Sequence, residues 1–390
     1  MDASTLGERI RSTRRRRGLT QRELATAAGV SESLIKKLEQ GTITDVRLET
    51  LHKIAIPLKV PTSHLVTGPE SEDPVTPDQW DDVRDALYRS APSNGTTEQA
   101  TPQGVLDSLA ALTPAWQANE YTQVHGMLPA LIRDALSLDD EDHGRVARSR
   151  VLNATAWMLN MTRQLDDAWT AARLALDAAP DLPESMAAVS MMTWCLLRQG
   201  KASDAGALAA QWADRAEPRF SRATNAELAA YGKMLLYVAN AMTTDNQPGE
   251  AQDALSLARA AAARIGRDIP CNASTTMRFG PGTVMVITAE TASLTWKPDK
   301  VLTIADRARG LVAGIEPAQQ LRHRLDVAGA HASLRQYAEA IGVLRELQAQ
   351  APEWLIHQRY ARDITSGIID RRRTLTPEMR ELADAVRLPL

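Results

Sequence analysis

One short phrase recurs between residues 120 and 340 of this 390-residue chain, and it constrains the fold more than any other feature. In each copy an apolar helical segment ends, a polar or charged group follows, and another helix opens. The copies are Leu165–Ala168, Lys201–Ala205, Pro248–Ala251, Pro298–Val301 and Tyr337–Ala340, with a looser first copy around Glu120 and Tyr121. The last residues of the five copies are 37, 46, 50 and 39 positions apart. Such a spacing predicts a stack of helix pairs.

Residues 103–390 are accordingly predicted to form a TPR-like helical repeat, an α-solenoid of about six helix pairs. The steps exceed the tetratricopeptide period of ~34 residues, so the copies are elongated. A further helix is expected near Trp354 to Ile369, and a capping helix from Pro377. No segment after residue 102 reads as a strand, and the predicted fold class is all-α.

A polar, proline-broken stretch precedes the repeat and predicts a linker over residues 67–102. Its first part combines Gly, Pro and acidic residues. Pro77 then marks the start of one helix, with Trp80, Val83 and Leu87 on its apolar stripe. We therefore expect the first 66 residues to be hinged to the repeat rather than fused with it.

The first 66 residues are predicted to form five short helices separated by clear stop signals. Thr20 and Glu23 form a capping box that starts the second helix, and Ser31 is a good N-cap for the third. Gly18 and Gly41 end the first and third helices. This segment holds 12 Arg and Lys against 7 Asp and Glu, so it carries +5 while the rest of the chain carries −8. The basic end is where a polyanion is expected to bind.

Two of these helices, joined by a glycine-centred turn, have the helix-turn-helix arrangement. Two consecutive stretches of the sequence resemble the XRE family of phage-repressor-like transcriptional regulators almost position by position. They are LTQRELATAAGVSESLIKKLEQG and LETLHKIAIPLKVPTSHLV. The resemblance covers about 60 residues. It implies a five-helix DNA-binding domain over residues 1–66, with its third helix in the major groove.

The resemblance also implies which side chains contact double-stranded DNA. The candidates are Gln21, Ser31, Glu32, Ser33, Lys36 and Lys37, together with Arg47, where the sequence departs from the family pattern and Asp45 is the alternative cap. Those on the third helix would face base edges or flanking phosphates, whereas Gln21 would touch a phosphate from its helix N-terminus. Arg47 stands where the family has a helix cap and is a candidate for a phosphate contact. Glu39 would pair with Arg14, and the run Arg15–Arg17 is also compatible with a solvated helix end.

The C-terminal half resembles that of long XRE regulators common in high-GC filamentous bacteria. The resemblance rests on Arg278–Pro281 before a helix, and on Arg322–Ala332 followed by Tyr337–Ala340. It implies that the helical repeat serves as a sensor and as a dimerisation surface.

The first helices of the pairs form the concave wall of such a repeat, and here they carry Asn, Trp and cationic residues. The candidate ligand-binding residues are Asn153, Trp157, Asn160, Trp194, Arg198, Lys233, Tyr237 and Asn240. An Asn amide can pair with the backbone of an extended peptide, as in peptide-pheromone receptors of similar architecture, which act in quorum sensing, and a cation can hold a carboxylate. Alternatively, the Asn residues cap contacts between helices, and the Trp and Met stripes are core.

These features predict a cytoplasmic, homodimeric transcriptional regulator that binds a palindromic DNA operator and, through its repeat, a signalling peptide or a small-molecule ligand. The alternative is a protein-interaction scaffold whose repeat captures a partner protein, with DNA binding secondary. The sequence has no phosphate-binding loop, nucleophile elbow or HExxH motif, so we do not expect an enzyme. Cys195, Cys271 and seven scattered His show no metal-ligand spacing, and no cofactor is predicted. No apolar stretch reaches the ~20 residues of a membrane span.

Overall fold

The computed structural model describes residues 5–43, 46, 48–58, 60, 65, 80–88, 99–271, 277–371 and 375–388. These residues form twenty α-helices and one short β-ribbon. The first four helices are α1 (Leu6–Arg16), α2 (Gln21–Ala28), α3 (Glu32–Glu39) and α4 (Leu48–Leu58). They confirm the first four predicted helices, whereas most of the predicted fifth lies outside the described residues.

Helices α1 to α4 share a hydrophobic core that is separate from the core of the repeat. Ile10, Leu24, Ile35, Leu38 and Ile54 are fully buried in it. These apolar positions recur every three or four residues along each helix, which directs one stripe inward and leaves the opposite face exposed.

Six helix pairs follow, as the recurring phrase predicts. The pairs are α6 (Pro102–Ala118) with α7 (Tyr121–Ser137), α8 (Asp142–Met161) with α9 (Leu165–Ala178), α10 (Leu182–Arg198) with α11 (Ala202–Ala216), α12 (Asn225–Thr244) with α13 (Pro248–Ile265), α14 (Pro281–Leu294) with α15 (Pro298–Ala308), and α16 (Pro317–Ser333) with α17 (Tyr337–Gln350). The second helix of every pair begins within one residue of the predicted position. Among the described residues, no helix combines the length and the hydropathy needed to cross a membrane.

The segments that flank the pairs differ from their predicted form. The helix expected within the linker, α5 (Asp81–Tyr88), buries Val83 in the core of the repeat, and Tyr88 Oη donates to Asp167 Oδ1 at 2.8 Å. It is therefore part of the repeat rather than of a free hinge. At the other end, the single helix expected near Trp354 to Ile369 is divided.

The division gives α18 (Pro352–Leu355) and α19 (Arg359–Ile369), followed by the capping helix α20 (Pro377–Ala385). Gln358 separates the first two with an extended backbone, φ −94° and ψ 98°. Its side chain donates to the Trp354 carbonyl at 3.1 Å, which stabilises the bend.

The expectation that the repeat contains no strand is wrong at one place. Strands β1 (Ile269–Pro270) and β2 (Arg278–Phe279) form an antiparallel ribbon between α13 and α14, with Ile269 opposite Phe279. Each strand has only two residues, too few for an alternating apolar pattern to be recognised. Phe279 is fully buried.

The superhelix returns to its beginning, so that the last pairs contact the first. The backbone N–H and the hydroxyl of Thr122 at the start of α7 donate to Glu353 Oε2 in α18, at 2.7 and 3.1 Å. Trp157 Nε1 in α8 donates to Glu316 Oε1 just before α16, at 3.3 Å. The first helices of the pairs thereby surround an interior space.

Candidate nucleic-acid interface and ligand cavity

Local hydrogen bonds fix the angle between α2 and α3. The Thr20 hydroxyl accepts from the Glu23 N–H, and the Glu23 carboxylate accepts from the Thr20 N–H, which confirms the predicted capping box. Gly29 then turns the chain with φ +62°, a conformation that glycine adopts without strain. The Ser31 hydroxyl caps α3 by accepting from the Leu34 N–H at 3.2 Å. The two helices are thus presented in the helix-turn-helix arrangement.

The outer face of α3 has the chemistry of a DNA-reading surface. Glu32, Ser33, Lys36 and Lys37 are all exposed on this helix, opposite the buried Ile35 and Leu38. Lysine supplies donors for base edges and phosphates, Ser either donates or accepts, and a carboxylate can accept from cytosine N4. The four predicted residues of the third helix therefore share one accessible face.

An ion pair beneath that face confirms the expected contact between Arg14 and Glu39. Arg14 donates from Nε to Glu39 Oε1 at 2.6 Å and from Nη2 to Glu39 Oε2 at 2.9 Å. Burial alone would raise the pKa of Glu39, but the hydrogen bonds and charge of Arg14 and the bond from Gln21 lower it. Gln21 Nε2 donates to Glu39 Oε2 at 2.8 Å, so this side chain supports α3 from α2.

The remaining basic positions of this domain have different surroundings. Arg17 Nε donates to the Leu58 carbonyl at 2.9 Å, which ties the end of α1 to the end of α4. Part of the arginine run is therefore structural, whereas Arg15 is exposed. Arg47, the predicted phosphate contact before α4, lies outside the described residues.

The interior of the repeat contains a cavity of about 740 Å³. Small-ligand sites typically measure about 300–1,000 Å³. Six of the eight predicted ligand-binding residues line it, namely Trp157, Trp194, Arg198, Lys233, Tyr237 and Asn240. They come from α8, α10 and α12, the first helices of three consecutive pairs, as expected of a concave wall.

Two predicted ligand-binding residues, Asn153 and Asn160, do not line the cavity. Asn160 is fully buried, and its Nδ2 donates to the Met191 carbonyl of α10 at 3.2 Å. Asn153 is 5% exposed and lies in a stretch of α8 in which nearly every residue is buried. Helix α8 is enclosed by neighbours on most sides, so a shared helix face does not bring all its members to the cavity. Asn160 thus has the alternative role of a contact between helices, whereas Asn153 Oδ1 is buried without a hydrogen-bond partner among the described residues.

A charged network forms another part of the wall. Arg322 Nη2 lies 3.5 Å from Glu290 Oε1 and 3.3 Å from Asp326 Oδ1, and Asn240 Nδ2 donates to Glu290 Oε2 at 3.3 Å. Burial raises the pKa of Asp326, although Arg322 opposes this effect. The charge of Arg322 is thus matched by two carboxylates of the protein.

The sequence interpretation missed the cavity residues contributed from outside α8 to α12. They include His52 of α4, Glu290 of α14, Glu316, Arg322 of α16, Trp354 of α18 and Tyr360 of α19. Glu290 and Arg322 could have been found from their positions on the first helices of two pairs. The others are brought in by closure of the superhelix and by the position of α4, for which the sequence has no local signal.

The comparisons with known proteins concern mainly the first 65 residues. Residues 5–65 match the model of a family described as a helix-turn-helix domain. The uncharacterised HTH-type transcriptional regulator RghRB of Bacillus subtilis (strain 168) is 38% identical over 65 residues, which are 17% of this chain and 47% of that protein. The chain thus matches about half the length of this curated relative.

Two solved structures align over most of the chain with low similarity. PlcR of Bacillus thuringiensis, in complex with the peptide PapR7 and DNA, is 14% identical with a TM-score of 0.35, over 87% of this chain and 99% of that one. ComR from S. thermophilus, in complex with DNA and its signalling peptide ComS, is 10% identical with a TM-score of 0.21, over 89% and 99%. Both scores are too low to establish a common fold.

The family match coincides with α1 to α4 and with their common core. The capped α2, the left-handed turn at Gly29 and the exposed face of α3 are the geometry that this domain type uses. The matched relative is a transcriptional regulator rather than an enzyme. Residues 5–65 of this chain therefore match the helix-turn-helix domain family both in sequence and in local geometry.

Proposed function

We propose that this protein is a sequence-specific DNA-binding transcriptional regulator that responds to a signal bound in the cavity of its helical repeat. The observation that carries the proposal is the exposed face of α3, where Ser33, Lys36 and Lys37 stand together on a properly capped recognition helix. Gln21, Ser31, Glu32 and Arg47 complete the proposed DNA contacts. The domains proposed are residues 1–66 for DNA binding, 67–102 as a linker whose helix α5 packs on the repeat, and 103–390 as the sensor.

The cavity supports the second half of the proposal. Trp157, Trp194 and Tyr237 offer aromatic surface, while Arg198, Lys233 and Asn240 supply polar groups, a combination typical of small-ligand sites. The ligand is a signalling peptide or a small molecule of similar size. A ligand with different affinity for two forms of the repeat would shift the equilibrium between them and move the attached DNA-binding domain.

A homodimer on a palindromic operator completes the proposal. One recognition helix contacts too few base pairs for genomic specificity, whereas two helices on successive turns of DNA lie ~34 Å apart. We assign the dimer contact mainly to the repeat. A footprint with two half-sites one helical turn apart on the selected fragments would support this arrangement.

The test is DNA binding by the double variant Lys36→Ala/Lys37→Ala. Genomic fragments bound by the purified full chain are selected and sequenced, and their affinity is measured over a range of salt concentrations. We expect a loss of about 1–3 kcal/mol for each lysine that reads a base, or a salt slope smaller by about one for each that contacts a phosphate.

The double variant Lys201→Ala/Lys300→Ala is the matched control, because both lysines are exposed on the repeat. It removes the same charge from the chain and is expected to bind as the wild type does. Unchanged affinity and salt slope in a folded Lys36→Ala/Lys37→Ala variant would contradict the proposal. That outcome would favour the alternative of a scaffold whose repeat captures a partner protein.

A further inference from the structure

Two cations in the cavity wall have no anionic partner in the described part of the chain. Arg198 donates from Nη1 to the Asn160 carbonyl at 2.7 Å, and its guanidinium lies 5.4 Å from the centre of the Trp194 ring. Lys233 is 7% exposed, and its Nζ lies 5.8 Å from the centre of the Tyr237 ring. Neither side chain forms an ion pair with a described carboxylate. Carbonyl and ring contacts thus surround these two charges, although the carboxylate of Glu316 lines another part of the same cavity.

Such an arrangement is costly without a counterion. Burying a charged group requires pairing and hydrogen bonds to offset its lost hydration. Burial, together with the neighbouring charges of Arg163 and Arg322, lowers the pKa of Arg198 well below its ordinary value. Arg322 differs from Arg198, because Glu290 and Asp326 neutralise it within the protein. An uncompensated charge in a binding cavity is the complement of an opposite charge on the ligand.

Much of the surface that surrounds these cations is apolar. Arg198 is partly exposed, and it lines the cavity inside the repeat. Apolar side chains form a large part of the wall, among them Met161, Met191, Leu236, Met277 and Ile287. A ligand that fills this space is therefore mostly apolar, with its charge concentrated at one group.

We infer that the cavity takes an amphipathic organic acid whose anionic group is bound by Arg198 and Lys233. The inference rests on the ligand-binding half of the proposed function and specifies the chemistry of that ligand. The guanidinium presents a planar fork of donors suited to a carboxylate, while the ammonium adds a second, single-point contact. Neutral hormone-like molecules are disfavoured, because they would leave both charges uncompensated.

The experiment uses two fluorescent probes of similar shape and different charge on the full chain. The anionic probe is 8-anilinonaphthalene-1-sulfonate, and the neutral probe is N-phenyl-1-naphthylamine. We expect the wild type to bind both. The double variant Arg198→Met/Lys233→Met keeps the apolar volume but removes the charges, so it should bind the anionic probe about tenfold more weakly or worse. Its affinity for the neutral probe should be retained.

The matched control is Arg215→Met, because Arg215 stacks at 4.8 Å over Trp212 on α11 and does not line the cavity. It should leave both affinities unchanged. Lys233→Arg keeps the charge and should retain binding of the anionic probe. Near-ultraviolet circular dichroism and cooperative urea denaturation show that each variant is folded, because partly unfolded states also bind apolar dyes.

Two outcomes separate the inference from the proposed function. Unchanged binding of the anionic probe by the double variant, with the neutral probe still bound, would overturn the anion site and leave ligand binding in place. Failure of the wild type to bind either probe would overturn the ligand-binding half of the proposed function as well.

Displacement of the anionic probe distinguishes two sources of the acid. Decanoate represents a small organic acid, and trileucine represents a peptide with a free C-terminal carboxylate. The more effective competitor identifies the class. Trileucine amide should compete more weakly than trileucine, and equal competition by the two would count against recognition of the carboxylate.

Discussion

His323 on α16 is a buried histidine whose titration should be visible in the stability of the repeat. Its side chain is 5% exposed, and burial lowers its pKa from 6.5 to about 4. Because the folded state disfavours the charged imidazole, the unfolded state binds more protons between these two values. The contribution of His323 to stability is therefore fully present above about pH 6.5 and is lost as the pH falls toward 4.

We predict that His323→Asn flattens the dependence of stability on pH between about 6.5 and 4. The slope should decrease by up to about 1.4 kcal/mol per pH unit. Denaturation followed by tryptophan fluorescence measures it, because all eight Trp lie after residue 79 and report on the repeat. His143→Asn, at an exposed site on α8, is the control and should keep the wild-type slope. Equal slopes for all three proteins would show that His323 does not titrate in this range.

Side-chain roles were predictable where they depend on local geometry, and less so where they depend on packing. The caps at Thr20 and Ser31 follow from the residue types alone, and the structure contains both. Trp157 and Asn160 lie three positions apart on α8, yet only Trp157 lines the cavity. Which of the two side chains faces the cavity depends on the side of α8 against which α10 packs. The residue pattern of α8 does not indicate that side.

At the scale of elements, the β-ribbon is held by a glycine in the facing helix. The backbone of α12 approaches the Phe279 ring so closely that a Cβ atom added at Gly232 would lie 2.0 Å from Phe279 Cζ. The ring is fully buried, so it has little freedom to move. This contact explains why glycine, a poor helix former, stands in the middle of α12.

Gly232→Ala should therefore destabilise the repeat by about 1–3 kcal/mol through overpacking. Gly342→Ala on α17 is the matched control, because nothing lies within 4 Å of a Cβ added there. That variant should be neutral or more stable by up to about 1 kcal/mol, since Ala is the better helix former. Urea denaturation monitored by tryptophan fluorescence compares the two. A Gly232→Ala variant as stable as the control would show that the ribbon repacks freely.

The order of the helices was predictable, because the recurring phrase marks the second helix of each pair and proline opens several of the helices. Pro248, Pro298 and Pro377 open helices at the expected positions. The bend, which a bond from the Gln358 side chain to the Trp354 carbonyl stabilises, was not predictable, and neither was the ribbon, which depends on contact with a distant helix. Phe279 packs on Gly232, 47 positions earlier in the chain.

At the scale of the whole molecule, two features join parts that are far apart in sequence. Thr122 and Glu353, 231 positions apart, close the superhelix. Asn246 Nδ2, between α12 and α13, donates to the Val60 carbonyl of the helix-turn-helix domain at 2.8 Å. His52 of that domain also lines the cavity. The helix-turn-helix domain therefore forms part of the surroundings of any ligand in the repeat.

This arrangement predicts that ligand binding and DNA binding are thermodynamically coupled. Saturating DNA should change the affinity of the protein for 8-anilinonaphthalene-1-sulfonate by a certain factor. The saturating probe should change the affinity for a selected DNA fragment by the same factor, because linkage is reciprocal. A typical coupling of about 1–3 kcal/mol would give factors of about 5 to 150, measured by fluorescence titration in both directions.

The variant Asn246→Gly tests whether this coupling passes through the contact between the two domains. Asn246 has φ +58°, which glycine adopts without strain, so the substitution removes the side-chain amide and keeps the turn. Without the hydrogen bond to Val60, the helix-turn-helix domain is held less firmly beside the cavity, and both factors should fall toward one. Affinity for DNA in the absence of the probe should change little, because the exposed face of α3 is not altered. Factors of one in the wild type, or undiminished factors in Asn246→Gly, would mean that the domain contact does not transmit the signal.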